Sequence, residues 1–340
     1  MLNVAIAVLP VVAFLAVLWF MDRFGMVEPR IVAAMLGYGA LAAAASLWAN
    51  DWLLHALRLP LAQVSRYIAP ITEESAKAAL LVVLIATGRV GFLVDAAVLG
   101  FSIGTGFALF ENIWYLQTLP HASLMLWIVR GLGTAILQGA TTGIFAIASQ
   151  TLADRYRDRL PLAFLPGLAA AVVLHSAYNY RVLPPVAEML VLLVVVPLIV
   201  LATYDYSERA TREWVGAGLD LDLELLSLMT SDAFMVTRFG RRLVELRARL
   251  PPPVIADMFC LLRLELELSV QAKALLLARE AGLILPANED LERALAERRY
   301  LQEAIGAEGR AALEPLQVTS HRDTWHRHLL QRRRTGASQR

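Results

Sequence analysis

Cysteine and charged residues are both scarce in this chain. Its single cysteine, Cys260, excludes an internal disulfide framework and a zinc site built from thiolates. Only 18% of the 340 residues are charged, whereas 58% are hydrophobic, and the mean hydropathy is +0.56. Soluble domains carry more charge than this. Because several apolar runs reach the roughly twenty residues that a helix needs to cross a bilayer, the composition predicts a polytopic membrane protein.

The chain also lacks the features of a cleaved signal peptide. Its first three residues carry no positive charge, and no Ala-x-Ala site precedes Asp22. We therefore expect the first apolar run to remain in the protein as a transmembrane span.

Seven apolar runs have the length of transmembrane helices, which predicts an all-α bundle of about seven spans over residues 1–205. Between the second and third runs, residues 51–63 carry tryptophan, histidine and arginine, which is typical of the membrane interface. The third run begins between Leu61 and Ile71, since Pro70 can kink a helix or cap it. In chain order the predicted spans are 4–20, 31–50, the run that ends at 87–89, 93–116, 123–153, 162–180 and 186–204.

Arginines are unevenly distributed between the loops of such a bundle. Short loops rich in arginine stay on the cytoplasmic side of a membrane, so their distribution predicts the orientation. An external N-terminus and a cytoplasmic C-terminal region place most of these arginines inside. The inner ones would be Arg23, Arg30, Arg89, Arg155, Arg157 and Arg159, and the outer ones Arg58, Arg66 and Arg181.

Charge becomes dense after Tyr204, and residues 206–330 are predicted to form a soluble, helical, cytoplasmic region. The region shows no phosphate loop, metal-ligand spacing or internal repeat. We therefore assign it no chemistry and expect no nucleic-acid partner. The last residues, 331–340, are basic and polar, which predicts a disordered tail.

Two helices are predicted within that region. Apolar residues between 259 and 277 follow the helical period, although the alternation over 262–268 would also suit a strand. Leucine, glutamate and arginine favour the helix. We expect this helix to stop at Gly282, and a further helix to run from a cap at Asn288 to Gly306.

Two glutamates and a lysine, Glu73, Glu74 and Lys77, lead into the third apolar run. On a helix Lys77 stands four residues from Glu73 and three from Glu74, so it can partly neutralise one carboxylate. Charge inside hydrocarbon is expensive, and an intramembrane acid therefore indicates a functional site. The structural alternative is that Thr72 caps a helix after Pro70, with both glutamates favoured in its first turn by the helix dipole.

Further polar side chains lie on other predicted spans at a similar depth. With an external N-terminus, Glu111 and His175 each lie about five residues, or roughly 8 Å, from the outer ends of their spans. Glu73 and Glu74 lie in the outer half of their span, and Gln138 lies roughly 12 Å below the outer interface. We therefore expect the three glutamates and the histidine to line one internal cavity that opens towards the outer leaflet.

Each of these residues also has a structural interpretation. His175 can be a packed histidine satisfied by Asn179 one turn away, and Glu111 can pair with Arg130 across a helix hairpin. Gln138 can serve as a hydrogen-bonding link between helices. The chemical interpretation depends on their combination at one depth beside two adjacent carboxylates.

The same side chains can hydrolyse a peptide bond inside a bilayer. The reaction needs a base for an admitted water, an acid for the leaving amine and a donor for the oxyanion. Two adjacent acids in apolar surroundings share a proton, so one of Glu73 and Glu74 can be the base while the other donates. Because they lie about 100° apart on a helix, only one faces the pocket directly. His175 can polarise the water or bind a metal. The candidate oxyanion donors are Asn112, Asn179 and Gln138.

Three blocks of sequence resemble the PrsW family of intramembrane proteases. They are Glu73-Glu74-x-x-Lys77, Gly106-Phe-Ala-Leu-Phe-Glu111-Asn112-Ile-Trp-Tyr115 and His175-Ser-Ala-Tyr-Asn179. The resemblance covers about residues 30–204, and the family is distantly similar to the CAAX prenyl proteases and abortive-infection membrane proteins.

This resemblance implies a catalytic diglutamate, Glu73 and Glu74, completed by Glu111 and His175. The supporting residues would be Lys77, Asn112, Arg130, Gln138 and Asn179. It also implies a bacterial-type inner (cytoplasmic) membrane as the location. The partners it implies are the lipid bilayer and a transmembrane protein substrate, such as an anti-sigma factor.

One position departs from the family's pattern. Gln138 stands where relatives usually carry histidine, and glutamine is neither a base nor a good zinc ligand. If the mechanism uses a divalent metal such as zinc, Glu111 and His175 are its candidate ligands, and Gln138→His would strengthen its binding. Two other classes stay open. One is a pseudoprotease that binds membrane partners without cutting them, and the other is an ion or small-molecule transporter with buried acids.

Overall fold

The computed structural model describes residues 2–20, 27–119, 121–156, 160–281, 283 and 290–313, and every regular element in these ranges is helical. The prediction of an all-α protein is confirmed. The chain divides into two compact units, Met1–Glu208 and Arg209–Arg340. Several predictions lie outside the described residues, namely those for Arg23, Arg157, Arg159, Gly282, the cap at Asn288 and the tail 331–340.

The first unit consists of long helices joined by short connections. In chain order they are α1 (Leu2–Phe20), α2 (Pro29–Leu57), α3 (Leu61–Gln63), α4 (Ala69–Ala86), α5 (Leu93–Thr118), α6 (Leu124–Val129), α7 (Ala135–Arg155), α8 (Leu160–Tyr180) and α9 (Pro185–Met229). Two turns of π-helix connect neighbouring helices without a break. They are π1, Val64–Ile68, between α3 and α4, and π2, Arg130–Thr134, between α6 and α7.

Six of the described helical segments are long and apolar enough to cross a membrane, which makes this a polytopic helix bundle. They are α1, α2, α5, the segment from α6 to α7, α8 and α9. The remaining predicted span corresponds to α4, an 18-residue helix that contains Glu73, Glu74 and Lys77. These six segments and α4 account for the seven predicted spans.

Two helices run beyond the predicted spans. The second span was expected to end at residue 50, but α2 continues to Leu57, with Asp51 and His55 paired at 3.5 Å along its surface. It stops where Arg58 takes a left-handed backbone conformation, with φ of 49°, two residues before Pro60. The last span was predicted to end at residue 204, and α9 continues beyond it as a helix to Met229. A helix does not need an apolar sequence to continue, since glutamate, arginine and leucine all favour it.

Glycines bring α5 into direct backbone contact with both of its neighbours. A Cβ added at Gly104 would lie 2.1 Å from the carbonyl oxygen of Gln138, so only glycine permits this approach of α5 to α7. A Cβ at Gly106 would similarly lie 2.0 Å from the carbonyl oxygen of Leu36 on α2. Gly100 also meets α7, at the carbonyl oxygen of Thr142, and the four-residue spacing of Gly100 and Gly104 is typical of such close helix contacts.

The second unit begins within α9 and contains further helices. They are a short 3₁₀-helix (Asp232–Val236), α10 (Arg238–Leu246), α11 (Pro252–Glu280), α12 (Asp290–Ala304) and α13 (Gly306–Leu313). Residues 262–268 lie inside α11, so the helical prediction is confirmed and the strand is excluded. The break at Gly306 is confirmed too, since this residue has φ of 63° between α12 and α13.

Candidate active site

Glu73 and Glu74 lie inside a continuous helical segment and not at a free helix start. The chain passes from α3 through π1 into α4 without a break, and Thr72 is already helical. The hydroxyl of Thr72 contacts the side-chain oxygen of Asn50 at 2.6 Å and makes no cap. The structural alternative for this stretch, a helix capped by Thr72, is therefore wrong.

Glu74 lies at the centre of a buried network. Its Oε1 atom contacts Nζ of Lys77 at 2.6 Å, Nδ1 of His175 at 2.7 Å and the hydroxyl of Thr141 at 3.1 Å. The side chains of Lys77 and Glu74 are 0% and 1% exposed. Three helices, α4, α7 and α8, therefore converge on one carboxylate oxygen. The prediction that Lys77 neutralises one of the two glutamates is confirmed for Glu74.

Glu73 occupies a different face of α4. Its Oε1 accepts a hydrogen bond from Nδ2 of Asn50 at 3.3 Å, and its Oε2 lies 3.8 Å from Nε2 of His175. The imidazole of His175 therefore stands between the two glutamates, with Nδ1 on Glu74 and Nε2 towards Glu73. This arrangement follows from the 100° step between adjacent helical residues.

Gln138 joins the two ends of the cluster through its side-chain amide. Its Oε1 accepts a hydrogen bond from Lys77, and its Nε2 donates to Oε2 of Glu111 at 3.3 Å. The residue is buried on α7. These contacts confirm the structural interpretation of Gln138 as a hydrogen-bonding link between helices.

Glu111 forms an ion pair with Arg130, as the structural alternative predicted. Nη2 of Arg130 lies 3.1 Å from Oε1 of Glu111, and Nε of Arg130 donates to Oδ1 of Asn112 at 3.0 Å. The guanidinium also stacks 3.9 Å from the ring centroid of Tyr115. Asn112 in turn donates to the carbonyl oxygen of Ala7 at 2.8 Å, which ties α1 to the site.

A cavity of about 340 Å³ lies beside this network. Glu73, Glu111 and His175 line it, but Glu74 does not, so the prediction of four lining residues is wrong for Glu74. That carboxylate is enclosed by Lys77, His175 and Thr141. The polar lining is Asn50, Ser65, Glu73, Glu111, Tyr115, Arg130, Thr134, Gln138, His175, Tyr178, Asn179 and Arg181, and the apolar lining includes Leu47, Leu61, Val64, Phe107, Phe110 and Trp114.

Both π-helical turns border the cavity. Val64 and Ser65 from π1 and Arg130 and Thr134 from π2 contribute to its lining. A π-turn inserts one extra residue into a helix and is frequently found at functional sites. The π2 turn between α6 and α7 places the guanidinium of Arg130 at the cavity, and Gln138 follows on α7.

Asn179 has a different partner from the one predicted. It donates to the carbonyl oxygen of Ser65 at 2.9 Å and does not satisfy His175, whose Nδ1 partner is Glu74. The predicted pairing of the two is therefore wrong, because a histidine with a carboxylate on a facing helix takes the stronger, charge-assisted bond. Asn179 instead fixes α8 to π1.

Sequence reasoning missed three residues of the site. Thr141 donates to Glu74, Asn50 donates to Glu73, and Tyr115 stacks under Arg130. Thr141 lies three residues after Gln138 and thus on the same helical face, which is a signal in the sequence. Asn50 ends an apolar run and looks like a boundary residue, so nothing in the sequence connects it to Glu73.

The donor atoms of the cluster do not fit a divalent metal as they stand. Catalytic zinc sites use three protein ligands, and the described residues contain no group of three His, Cys, Asp or Glu side chains arranged to hold an ion. Both oxygens of Glu111 are taken, one by Arg130 and one by Gln138. Of the predicted metal ligands, Glu111 therefore has no free oxygen, and His175 offers one nitrogen, Nε2, which is fewer donors than such a site requires.

Comparison with known proteins gives one result on the family. A model described as the PrsW family intramembrane metalloprotease matches residues 28–202, which is more than half of the chain. Nothing matched among curated proteins or among solved structures. The matched range contains the whole network from Asn50 to Asn179, on a polytopic helix bundle. The chain therefore belongs to the PrsW family of intramembrane metalloproteases.

Proposed function

We propose that this protein is an intramembrane endopeptidase that uses Glu73, Glu74 and His175 to cleave a membrane-anchored protein. The observation that carries the proposal is the imidazole held between two glutamates at the wall of a cavity within an apolar bundle. An anti-sigma factor anchored by one transmembrane helix is the substrate class that we assign. The resemblance to the PrsW family supports this class.

His175 is the base in the proposed reaction. Its Nδ1–H donates to Glu74, so the neutral imidazole leaves Nε2 to accept a proton from a water in the cavity. The water oxygen then attacks the carbonyl carbon of the peptide. Glu74 stabilises the imidazolium that forms and keeps the ring in position, which is the part a buried carboxylate plays behind a catalytic histidine.

Glu73, in its protonated form, donates to the amine nitrogen as the peptide bond breaks. The imidazolium of His175 then returns a proton to Glu73 across the 3.8 Å that separates them, and both groups regain their starting states. The charges of the cluster favour a proton on Glu73, because three carboxylates face only two cations, Lys77 and Arg130. Arg130 has further N–H donors that can stabilise the oxyanion.

The family is described as one of metalloproteases, whereas the donor atoms of this cluster do not fit a metal as they stand. A bound divalent metal would supply an activated water in such a family. In this chain we assign that task to Nε2 of His175.

We also propose the orientation and the part of the second unit. The described arginines at the ends of the predicted spans, such as Arg30, Arg89 and Arg155, favour a cytoplasmic C-terminal region in a bacterial-type inner membrane. The second unit would then dock or regulate, without chemistry of its own.

The test is cleavage of a model single-pass membrane substrate by purified protein. Glu73→Gln and His175→Ala should each lower kcat by about 10²- to 10⁴-fold, the usual worth of a general acid or base. Ser102→Ala is the matched control, since Ser102 is buried on α5 and bonds only the carbonyl oxygen of Val98 in the described contacts. Cleavage that persists in His175→Ala would refute the assignment.

A second candidate function is a pseudoprotease. The observation that favours it is Gln138, whose amide occupies the place between Lys77 and Glu111. Such a protein would bind the same membrane-anchored partner and leave it intact. Binding of the model substrate without cleavage, unchanged in Glu73→Gln, would support this second function over the first.

A further inference from the structure

The cluster contains a fully buried ammonium group that the proposed reaction does not use. Lys77 has 0% of its side chain exposed. Its Nζ donates to Oε1 of Glu74 and to Oε1 of Gln138, and it lies 4.9 Å from the ring centroid of Phe107. A carboxylate oxygen, an amide oxygen and an aromatic face are all groups that bind cations. The site is therefore built around a cation, and that cation belongs to the chain.

The two oxygen atoms that accept hydrogen bonds from Lys77 have little capacity left for another cation. Oε1 of Glu74 receives contacts from Lys77, His175 and Thr141. Oε1 of Gln138 is taken by Lys77, while its Nε2 is taken by Glu111. An imported metal would have to displace the ammonium in order to reach these oxygens.

The total charge of the cluster gives a second, independent reason why a metal would have to displace the ammonium. With Glu73 protonated, as in the proposed reaction, Glu74 and Glu111 supply two negative charges, and Lys77 and Arg130 balance them with two positive ones. A divalent metal would turn the sum into an excess positive charge inside an apolar bundle. Uncompensated charge is costly there, so metal binding would require that a cation leave the cluster.

We propose that Lys77 is the resident cation of this site, held by Glu74 and Gln138 in the place that a divalent metal would need. Glutamine suits residue 138 because its amide offers an oxygen to the ammonium and an N–H to Glu111. Lys77 is thus a positioning residue, which orients Glu74 towards His175. This inference rests on the proposed function only in taking the same cluster as the reaction site.

The test is metal retention by the purified full-length protein in detergent. Chelator-treated protein is equilibrated with Zn²⁺ or with Mn²⁺, passed through gel filtration and analysed for metal by mass spectrometry. We expect the natural chain to retain no stoichiometric metal. The double variant Lys77→Met/Gln138→His removes the ammonium and adds an imidazole, and it should bind Zn²⁺ at least about tenfold more tightly. Gln138→His alone keeps the ammonium and should gain far less.

Lys273→Met is the matched control. It also removes a buried ammonium paired with an acid, but in the second unit, so it should leave metal retention unchanged. Stoichiometric zinc in the natural chain that is lost in His175→Ala would overturn the proposal. An equal gain for Gln138→His with and without Lys77→Met would also overturn it. Because metal is measured without substrate and first on the natural chain, the result does not depend on cleavage or on the folding of a variant.

Discussion

Both units of this protein bury a lysine against an acid, at the same distance but with different consequences. Nζ of Lys77 lies 2.6 Å from Glu74, and Nζ of Lys273 lies 2.6 Å from Asp222. The first pair lies within one helix, three residues apart, whereas the second joins α9 to α11. A pair within one turn cannot hold two helices together. The Lys273 pair links two helices, so its loss should affect their packing.

The surroundings of the two lysines differ as well. The ammonium of Lys77 has Gln138 as a second acceptor, and its acid also bonds His175 beside a cavity. Lys273 lies against Gly218, where an added Cβ would be 2.8 Å from Nζ, so the helices pack closely at this pair. A buried ion pair by itself indicates little about function. Further ionisable groups that converge on it at a cavity indicate a site.

The largest effect should come from the acid that Lys77 and His175 share. Glu74→Gln removes the carboxylate behind the imidazole, and we expect the cleavage rate to fall by about 10²- to 10⁴-fold while the bundle stays folded. The cleavage rate is measured on a model membrane substrate, and the folding of the bundle is measured by circular dichroism. Asp222→Asn makes the same change in the other pair, and an equal loss of activity there would contradict the comparison.

The second prediction concerns stability in the Lys273 pair. Lys273→Met leaves Asp222 buried without its ammonium, and we expect this to cost about 3 to 5 kcal/mol of stability in the second unit. Lys273→Met/Asp222→Leu removes both charges and should recover most of the loss. Amide hydrogen exchange along α11 provides the measurement. If both variants exchange like the natural chain, the pair contributes nothing to the packing of α9 and α11.

A third prediction tests how the bundle places Gln138. Gly104→Ala puts a methyl group 2.1 Å from the carbonyl oxygen of Gln138 and must push α7 away from α5. Overpacking of this kind costs about 1 to 3 kcal/mol and should also reduce cleavage. Gly37→Ala on α2 is the control, since an added Cβ there meets nothing within 4 Å. Thermal unfolding in detergent compares the two, and equal melting temperatures would refute the prediction.

Arg130→Lys should have a smaller effect. Lysine keeps the charge near Glu111 but cannot also donate through a second nitrogen to Asn112. We expect a loss in kcat of about tenfold, with little change in KM, because the oxyanion donor is altered and not the binding wall. Steady-state kinetics on the model substrate would show this, and an unchanged kcat would remove Arg130 from the mechanism.

The smallest effect should come from removal of the second unit. Truncation after Ser207 keeps the whole network from Asn50 to Asn179, and we expect a folded bundle with retained intrinsic cleavage. Size-exclusion chromatography shows whether the truncated protein is folded, and the same cleavage assay measures its activity. A truncated protein that folds but has lost all cleavage would show that the second unit takes part in the chemistry.

Much of the membrane unit could be predicted without a structure. The spans are found because each is a local run of apolar residues, and the glycine contacts of Gly100 and Gly104 follow from their spacing. The ends of α2 and α9 do not follow from the predicted spans, because the sequence shows where hydrophobicity stops and a helix can continue beyond it. Thr72 was considered as a cap because a helix start and a passage through a π-turn look the same in sequence.

The sequence by itself determined that this is a membrane-embedded helix bundle with a small set of buried acids and one histidine among them. That follows from local properties, namely run length and the cost of charge in hydrocarbon. Only the tertiary structure decided that Glu73 faces the cavity, that Glu74 lies behind it and that His175 stands between them. These choices depend on the rotation of each helix and on contacts such as that of His175 with Glu74, which are 101 residues apart. No local pattern specifies such contacts, because they are set by how all the helices pack at once.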